Sequence, residues 1–213
     1  MRCHMASSRY AYFPNQGRAK FAIAMLGIAA LLDAAHAVLY GVLLSVWGQI
    51  EDTEPYEAAE NAIALADLAT LILCAIAFLL WFHRAYGNAH AVGLRPRFGQ
   101  GWALGGWFVP FLNLVRPFNI AGDMWRHAGR DRTGSFGIVG LWWTFWIVTG
   151  PLARIGAMQT AGRDPDKVQW GIKLLLAADL TGIAAAFLAI VMVRRLTRAQ
   201  EAMRSLQQAE VFA

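Results

Sequence analysis

Charged side chains are scarce in this sequence. Asp, Glu, Lys and Arg make up 15% of its 213 residues, whereas apolar residues make up 57%. Soluble domains hold about 25% charged residues, and the charges here are clustered so that long stretches carry none or one. This distribution excludes an ordinary soluble domain and indicates a chain that crosses hydrocarbon repeatedly. The net charge of +5 is therefore not interpreted as a sign of nucleic-acid binding.

Cysteine is nearly absent, and so are the motifs of soluble enzymes. Cys3 and Cys74 cannot form a disulfide framework, and neither has the spacing of a metal motif. The sequence has no Gly-x-Ser-x-Gly elbow, His-Glu-x-x-His helix or phosphate loop. We expect no catalytic residues, no bound metal and no cofactor, although a membrane enzyme can gather its residues from several helices without a contiguous motif.

Four apolar stretches are long enough to cross a membrane as helices of about 1.5 Å per residue. They predict an all-α integral membrane protein, a four-transmembrane-helix bundle with helices at about 21–47, 58–82, 136–153 and 170–193. Gly150-Pro151 is expected to bend or end the third helix. Ala35-His36-Ala37 looks like a signal-peptidase site, but the apolar run continues to Trp47, which favours an uncut helix.

Lys and Arg fall mainly on one side of this four-span arrangement. Of 19 such residues, 15 precede the first span, separate the second from the third, or follow the fourth. Because basic residues concentrate in cytoplasmic loops, we predict a multi-pass protein of the bacterial inner (plasma) membrane with both termini in the cytoplasm. Residues 1–20 would form a cytoplasmic tail, 21–193 a single membrane domain, and 194–213 a cytoplasmic C-terminal helix.

The stretch 101–118, between the second and third spans, is apolar but too short to cross. Its interruptions by Pro110, Asn113, Arg116 and Pro117 predict an interfacial or re-entrant loop. A short amphipathic helix over 119–127 completes an interfacial segment of 101–127. Candidate contacts to lipid or a partner are Trp102, Trp107, Asn113 and Arg116.

Arg116 has two interpretations. Its planar fork of donors suits a lipid phosphate or a substrate carboxylate. Alternatively, it reaches the headgroups as a solvated side chain or caps loop carbonyls.

A polar cluster is expected inside the spans. Asp33, His36 and Tyr40 are spaced i, i+3, i+7 and share one helix face. Asp67 and Asp179 lie at a similar depth on the second and fourth helices. Because ionisable groups in hydrocarbon are unfavourable, these groups should face one another, either as a proton or cation site or, as we favour, as an interhelical hydrogen-bond network.

Two sequence stretches carry a family resemblance: Trp81-Phe82-His83-Arg84-Ala85-Tyr86-Gly87-Asn88-Ala89 and Gly106-Trp107-Phe108-Val109-Pro110-Phe111-Leu112-Asn113-Leu114-Val115-Arg116-Pro117-Phe118. They resemble the bacterial membrane family catalogued as domain of unknown function 4328, mainly between Leu80 and Arg126. The resemblance implies a multi-span bacterial membrane protein and supplies no reaction.

Together these features predict a non-enzymatic structural or interaction subunit that binds lipid through its cytoplasmic-side loop. Its expected partners are membrane lipids and a larger membrane complex or a second copy of the chain. One alternative is a small proton- or cation-coupled transporter using the intramembrane Asp and His residues. Another is a membrane enzyme acting on lipid at the interface, for which Asn113, Arg116, Asp123 and His127 offer no clear nucleophile.

Overall fold

The computed structural model describes residues 11–49, 54–94, 96–128 and 136–212. These residues form six α-helices and one short 3-10 turn, and no β-strand occurs among them. In chain order the elements are α1 (Gln16–Ser45), α2 (Glu54–Ala91), α3 (Trp102–Phe108), the 3-10 turn η1 (Leu112–Leu114), α4 (Arg116–Ala128), α5 (Phe136–Thr160) and α6 (Pro165–Phe212). The predicted all-α fold is confirmed.

Helices α1, α2, α5 and α6 are long and apolar enough to cross a membrane, as expected of a multi-pass membrane protein. The 38 residues of α2 and the 48 of α6 exceed the lengths predicted for their spans. At about 1.5 Å per residue they measure about 57 and 72 Å, against about 30 Å of hydrocarbon. If they cross the membrane, both must continue beyond it.

Helix α5 does not end at Gly150-Pro151. Pro151 has no N–H to donate to the preceding turn, yet the helix runs on to Thr160. Residues beyond Pro151 are held by close packing on α6, because a Cβ atom on Gly156 would lie 2.8 Å from the Cγ of Leu175.

The chain forms two compact units. Unit 1 comprises the described residues of Met1–Ala22, Ile76–Val139 and Val191–Ala213, and unit 2 comprises those of Ile23–Ala75 and Gly140–Ile190.

Unit 1 has a core of large side chains crossed by buried hydrogen bonds. Its fully buried members include Trp81, Phe82, Tyr86, Ile120, Met124, Met192 and Leu196. Trp81 Nε1 donates to Thr197 Oγ1 at 3.0 Å, and Gln200 Nε2 donates to the Ala85 carbonyl at 2.8 Å. These bonds attach the C-terminal part of α6 to α2 where the sequence predicts only a helical extension.

The segment before α1 is also bound to α2 in unit 1. Asn88 accepts from the Phe13 N–H through Oδ1 at 3.1 Å and donates to the Phe13 carbonyl through Nδ2 at 2.8 Å. Asn15 Nδ2 donates to the carbonyl of Trp81 at 3.2 Å. Polar residues of α2 beyond the apolar run thus find partners, which explains why α2 continues to Ala91.

Unit 2 is built on small residues. A Cβ atom on Gly171 of α6 would lie 2.8 Å from the carbonyl oxygen of Gly156 in α5, so the two helix backbones approach closely. Thr149 and Thr181 hydrogen-bond across the same pair of helices at 2.9 Å. Small residues and hydroxyl pairs of this kind are the usual means of packing helices in lipid.

Candidate functional site

The loop between α3 and α4 reverses the chain over a few residues. Val109, after α3, is extended, and Phe111 follows Pro110 with a φ of 62°. Positive φ is uncommon for a bulky side chain and stores strain. The N–H of Asn113 donates to the carbonyl of Val109 at 3.0 Å, which closes the turn into η1 and brings the chain to Arg116.

Arg116, the first residue of α4, lies between two aromatic rings. Its Cζ is 4.2 Å from the ring centroid of Phe98 and 4.8 Å from that of Trp102. Its stem packs on Gly106, where a Cβ atom would lie 2.6 Å from the Arg116 Cγ. Nε is buried without a hydrogen-bond partner, and no described residue forms an ion pair with this guanidinium. We refer to Phe98, Trp102, Gly106 and Arg116 as the loop site.

Apolar side chains around the loop site face outward. Phe108 is 73% exposed and Phe111 is 85% exposed. The other exposed apolar residues of this stretch are Trp102, Val109, Leu114 and Val115. A cation beside two aromatic rings is therefore close in sequence to several exposed apolar residues.

The other two loop residues singled out from the sequence lie elsewhere in unit 1. Trp107 packs edge-on against Phe78 and Phe82 of α2, with centroid separations of 5.9 and 6.1 Å. Asn113 is half-buried in η1. Of the four predicted contacts, the structure brings Trp102 and Arg116 together.

Asp123 of α4 anchors the chain that supplies Phe98. Its Oδ2 accepts from the Arg97 N–H at 2.7 Å and from the Tyr86 hydroxyl at 3.2 Å. The Tyr86 oxygen in turn accepts from the Phe98 N–H at 3.0 Å, and Arg126 donates to Oδ1 of Asp123 at 3.2 Å. This buried carboxylate thereby fixes the position of the ring that stacks on Arg116.

The polar cluster predicted inside the spans lies in unit 2, where α1 and α2 are joined at two levels. His36 Nδ1 is 2.9 Å from Asp67 Oδ2, and the hydroxyl of Tyr40 donates to Glu60 at 3.2 Å. The rings of His36 and Tyr40 stack at 5.5 Å with an interplanar angle of 17°. His36 is 7% exposed, and its second ring nitrogen, Nε2, is buried without a partner among the described residues.

Helix α6 adds to the same cluster. A Cβ atom on Gly182 would lie 2.6 Å from Oδ2 of Asp33, so a larger residue there would displace that carboxyl group. Oδ2 of Asp179 is buried without a hydrogen-bond partner among the described residues. The Asp33, Asp67 and Asp179 carboxyl groups lie within electrostatic range of one another.

A known protein family covers most of the chain. The family model described as Domain of unknown function (DUF4328) matches residues 49–198, which is more than half of the chain. The chain belongs to this family. No curated protein and no solved structure matches it.

The DUF4328 match extends well beyond the stretch that carries the resemblance in the sequence. It includes all of α3, η1, α4 and α5, and hence the whole loop site. Asp67 and Asp179 also fall within the matched residues. Asp33, His36 and Tyr40 precede them, so in this DUF4328 protein the α1 side of the polar cluster lies outside the family match.

Two functional candidates are absent from the sequence interpretation. Glu60 joins the cluster through Tyr40, and its spacing of seven residues from Asp67 on one helix face is the signal that could have found it. Phe98 stacks on Arg116 only because the Tyr86–Asp123 pair positions it, so no local pattern reveals its role.

Proposed function

We propose that this protein is a non-enzymatic structural or interaction subunit of the bacterial inner membrane that binds anionic phospholipid through its cytoplasmic-side loop. Arg116 binds the lipid phosphate, and the exposed apolar residues beside it enter the interfacial region of the bilayer. The expected partners are membrane lipids, together with a larger membrane complex or a second copy of the chain.

The guanidinium of Arg116, held between Phe98 and Trp102, is the observation that carries the proposal. Stacking orients its plane, and packing of the stem on Gly106 limits its rotamers. A charged group without a carboxylate partner among the described residues retains its donors for a ligand. A phosphate accepts such donors in pairs, which a planar guanidinium supplies and an ammonium does not.

The exposed residues support an interfacial placement. Phe108 and Phe111 would present their rings to water if the loop faced an aqueous compartment. Apolar side chains such as Phe that are exposed on an interfacial segment enter the boundary between headgroups and acyl chains instead. The strained backbone at Phe111 fits the same interpretation, because strain is retained where a side chain serves a function other than folding.

A structural rather than catalytic role is supported by the state of Asp123. Its carboxylate, 1% exposed, accepts hydrogen bonds from Tyr86, Arg97 and Arg126. Such a group supports the fold and has no free access to a substrate. The side chain of His127, the other acid–base candidate near the loop, lies outside the described residues.

Lipid titration followed by native mass spectrometry tests the proposal. Detergent-purified protein is mixed with phosphatidylglycerol or phosphatidylcholine, and the dissociation constants are compared for the native chain and Arg116→Gln. We expect the native chain to prefer the anionic lipid. The variant should bind it about tenfold or more weakly, because a hydrogen bond to a charged group contributes about 1.5–3 kcal/mol.

Two further variants sharpen the result. Arg198 is exposed on α6, so Arg198→Gln removes the same charge from unit 1 without touching the loop site and should weaken binding less. Arg116→Lys keeps the charge but loses the planar fork, and should fall near Arg116→Gln. Equal affinity of Arg116→Gln and the native chain for phosphatidylglycerol would reject the proposal.

Placement of the loop has its own test. If it lies on one face without crossing, single cysteines at Gln100, which is half-buried, and Arg126, which is exposed, should react with an impermeant thiol reagent from the same, cytoplasmic side. Labelling of the two positions from opposite sides would show a true span and overturn this topology.

A further inference from the structure

The polar cluster of unit 2 contains a histidine whose two ring nitrogens are in different surroundings. Nδ1 of His36 is 2.9 Å from the carboxyl group of Asp67, whereas Nε2 is buried without a partner among the described residues. A carboxylate partner at one nitrogen fixes the proton there and leaves the other nitrogen as a basic lone pair. A buried polar atom without a partner is rare in native proteins and calls for an explanation.

The cluster contains more acidic groups than basic ones. Four carboxyl groups contribute to it: Asp33 on α1, Glu60 and Asp67 on α2, and Asp179 on α6. His36 is the only group among these contacts that can become a cation. Since isolated charges in a span are unfavourable, the cluster stays close to neutral by holding protons.

The arrangement does not suit a metal ion. Among the described residues, no group of three or more His, Cys, Asp and Glu side chains converges as metal ligands do. The carboxyl groups instead distribute along the helices, two of them in separate hydrogen-bonded pairs with His36 and Tyr40. A distributed set of donors and acceptors is typical of proton relays.

We propose that this cluster is a proton-binding site in which Nε2 of His36 takes up the proton and Asp67 is the positioning residue that fixes the ring. Asp67 also balances the charge of the imidazolium once the proton is bound. No covalent bond other than N–H forms, and the proton returns to water through the cluster. The inference is independent of lipid binding at the loop site, since the two sets of residues lie in different units.

Nitrogen-15 NMR of histidine-labelled protein in lipid nanodiscs tests this site. The chain has five histidines, so the His36 ring signals are assigned by their absence in His36→Gln. We expect a neutral ring protonated at Nδ1 at high pH that converts reversibly to the doubly protonated ring as the pH is lowered. A His36 ring that keeps one protonation state at every pH at which the protein stays folded would overturn the proposal and leave a purely structural network.

Two variants test the role given to Asp67. Asp67 and Tyr40 contact His36, and the other described titratable groups of the cluster are Asp33 on α1, Glu60 on α2 and Asp179 on α6, with the Cys74 thiol of α2 near Asp33. Asp67→Asn keeps the size of the side chain and a hydrogen-bond acceptor but removes its charge. The midpoint of the His36 titration should then move to lower pH by about one unit or more.

Thr149→Val is the matched control. It removes a half-buried hydroxyl of unit 2 that is bonded to Thr181 and leaves every group of the cluster in place, so the midpoint should stay within about 0.3 units of the native value. A merely structural Asp67 would give the same midpoint in Asp67→Asn as in the native chain. That result would refute its assignment as the positioning residue.

Discussion

Replacing Phe111 with glycine tests whether the tip of the loop is shaped for stability or for contact with lipid. Phe111 has a φ of 62° and a ψ of −36°, outside the regions that bulky side chains adopt freely. Holding a residue there costs about 1–3 kcal/mol. Glycine adopts positive φ without steric conflict, so the substitution relieves that strain.

Three terms set the change in unfolding free energy for Phe111→Gly. Relief of backbone strain stabilises the variant by about 1–3 kcal/mol, and the greater conformational freedom of glycine in the unfolded chain offsets about 0.5–1 kcal/mol of that gain. Because the Phe111 side chain is 85% exposed, its removal forfeits only about 0.2–0.5 kcal/mol of burial. The net change lies between about −0.5 and +2 kcal/mol, so Phe111→Gly should be as stable as the native chain or more stable.

Equilibrium unfolding in detergent, followed by circular dichroism, measures this change. Phe111→Ala is the matched control, because it loses the same ring but keeps a Cβ atom at positive φ, and it should be less stable than Phe111→Gly by about 1–2 kcal/mol. A loss of more than about 1 kcal/mol in Phe111→Gly, or equal stability of the two variants, would show that Phe111 packs for the fold.

Lipid contact at the same position is measured in liposomes. A cysteine at position 111, in a background without Cys3 and Cys74, carries an environment-sensitive fluorophore, and lipids with a quencher near the headgroup are added. We expect strong quenching at 111 and little at Gln208, which is exposed on α6. Equal quenching at the two positions would contradict an interfacial loop tip.

Three further outcomes are expected. Gly171→Ala should lower the unfolding free energy by about 1–3 kcal/mol, because the new Cβ atom meets the backbone of Gly156. Gly41→Ala is the control: a Cβ atom there has open space around it, so the variant should be as stable as the native chain or more stable. Thermal melts measure both. Thr197→Val should lose about 1–3 kcal/mol by leaving the buried Nε1 of Trp81 without its acceptor, and a fully stable variant would contradict this account. A reporter active only in the periplasm, fused after the last residue, should stay inactive; strong activity would refute cytoplasmic termini.

The number of long apolar helices could be predicted because hydrophobicity is a local property of the chain. The ends of those helices could not. Tyr86 and Asn88 lie beyond the apolar run of α2 and read as a loop, but they remain helical because Asp123 and Phe13 supply their hydrogen bonds. Those partners lie 37 and 75 residues away in the sequence.

The candidate sites divide in the same way. Helical spacing predicts that Asp33, His36 and Tyr40 share one face of α1, and a depth argument predicts that Asp67 joins them; in the structure Asp67 and Tyr40 both contact His36. The aromatic environment of Arg116 was beyond sequence reasoning, because Phe98 is separated from it by α3 and is positioned by a buried carboxylate. The chemical type of each candidate residue could be read from the sequence, whereas the residues that surround it could be identified only from the fold.

The bonds between α2 and α6 in unit 1 have a consequence for biogenesis. Thr197 and Gln200 bond to residues of α2, and Gln207 bonds to Val92 directly after it; these partners precede them by 115 or 116 positions. While the chain is being synthesised, α2 leaves the ribosome before Thr197, Gln200 and Gln207 have been added. Until then, Trp81 and the carbonyls of Ala85 and Val92 lack these hydrogen-bond partners. A nascent chain stalled before residue 197 would keep this surface open to membrane chaperones and proteases, and translation of the C-terminal helix would be the event that ends their access.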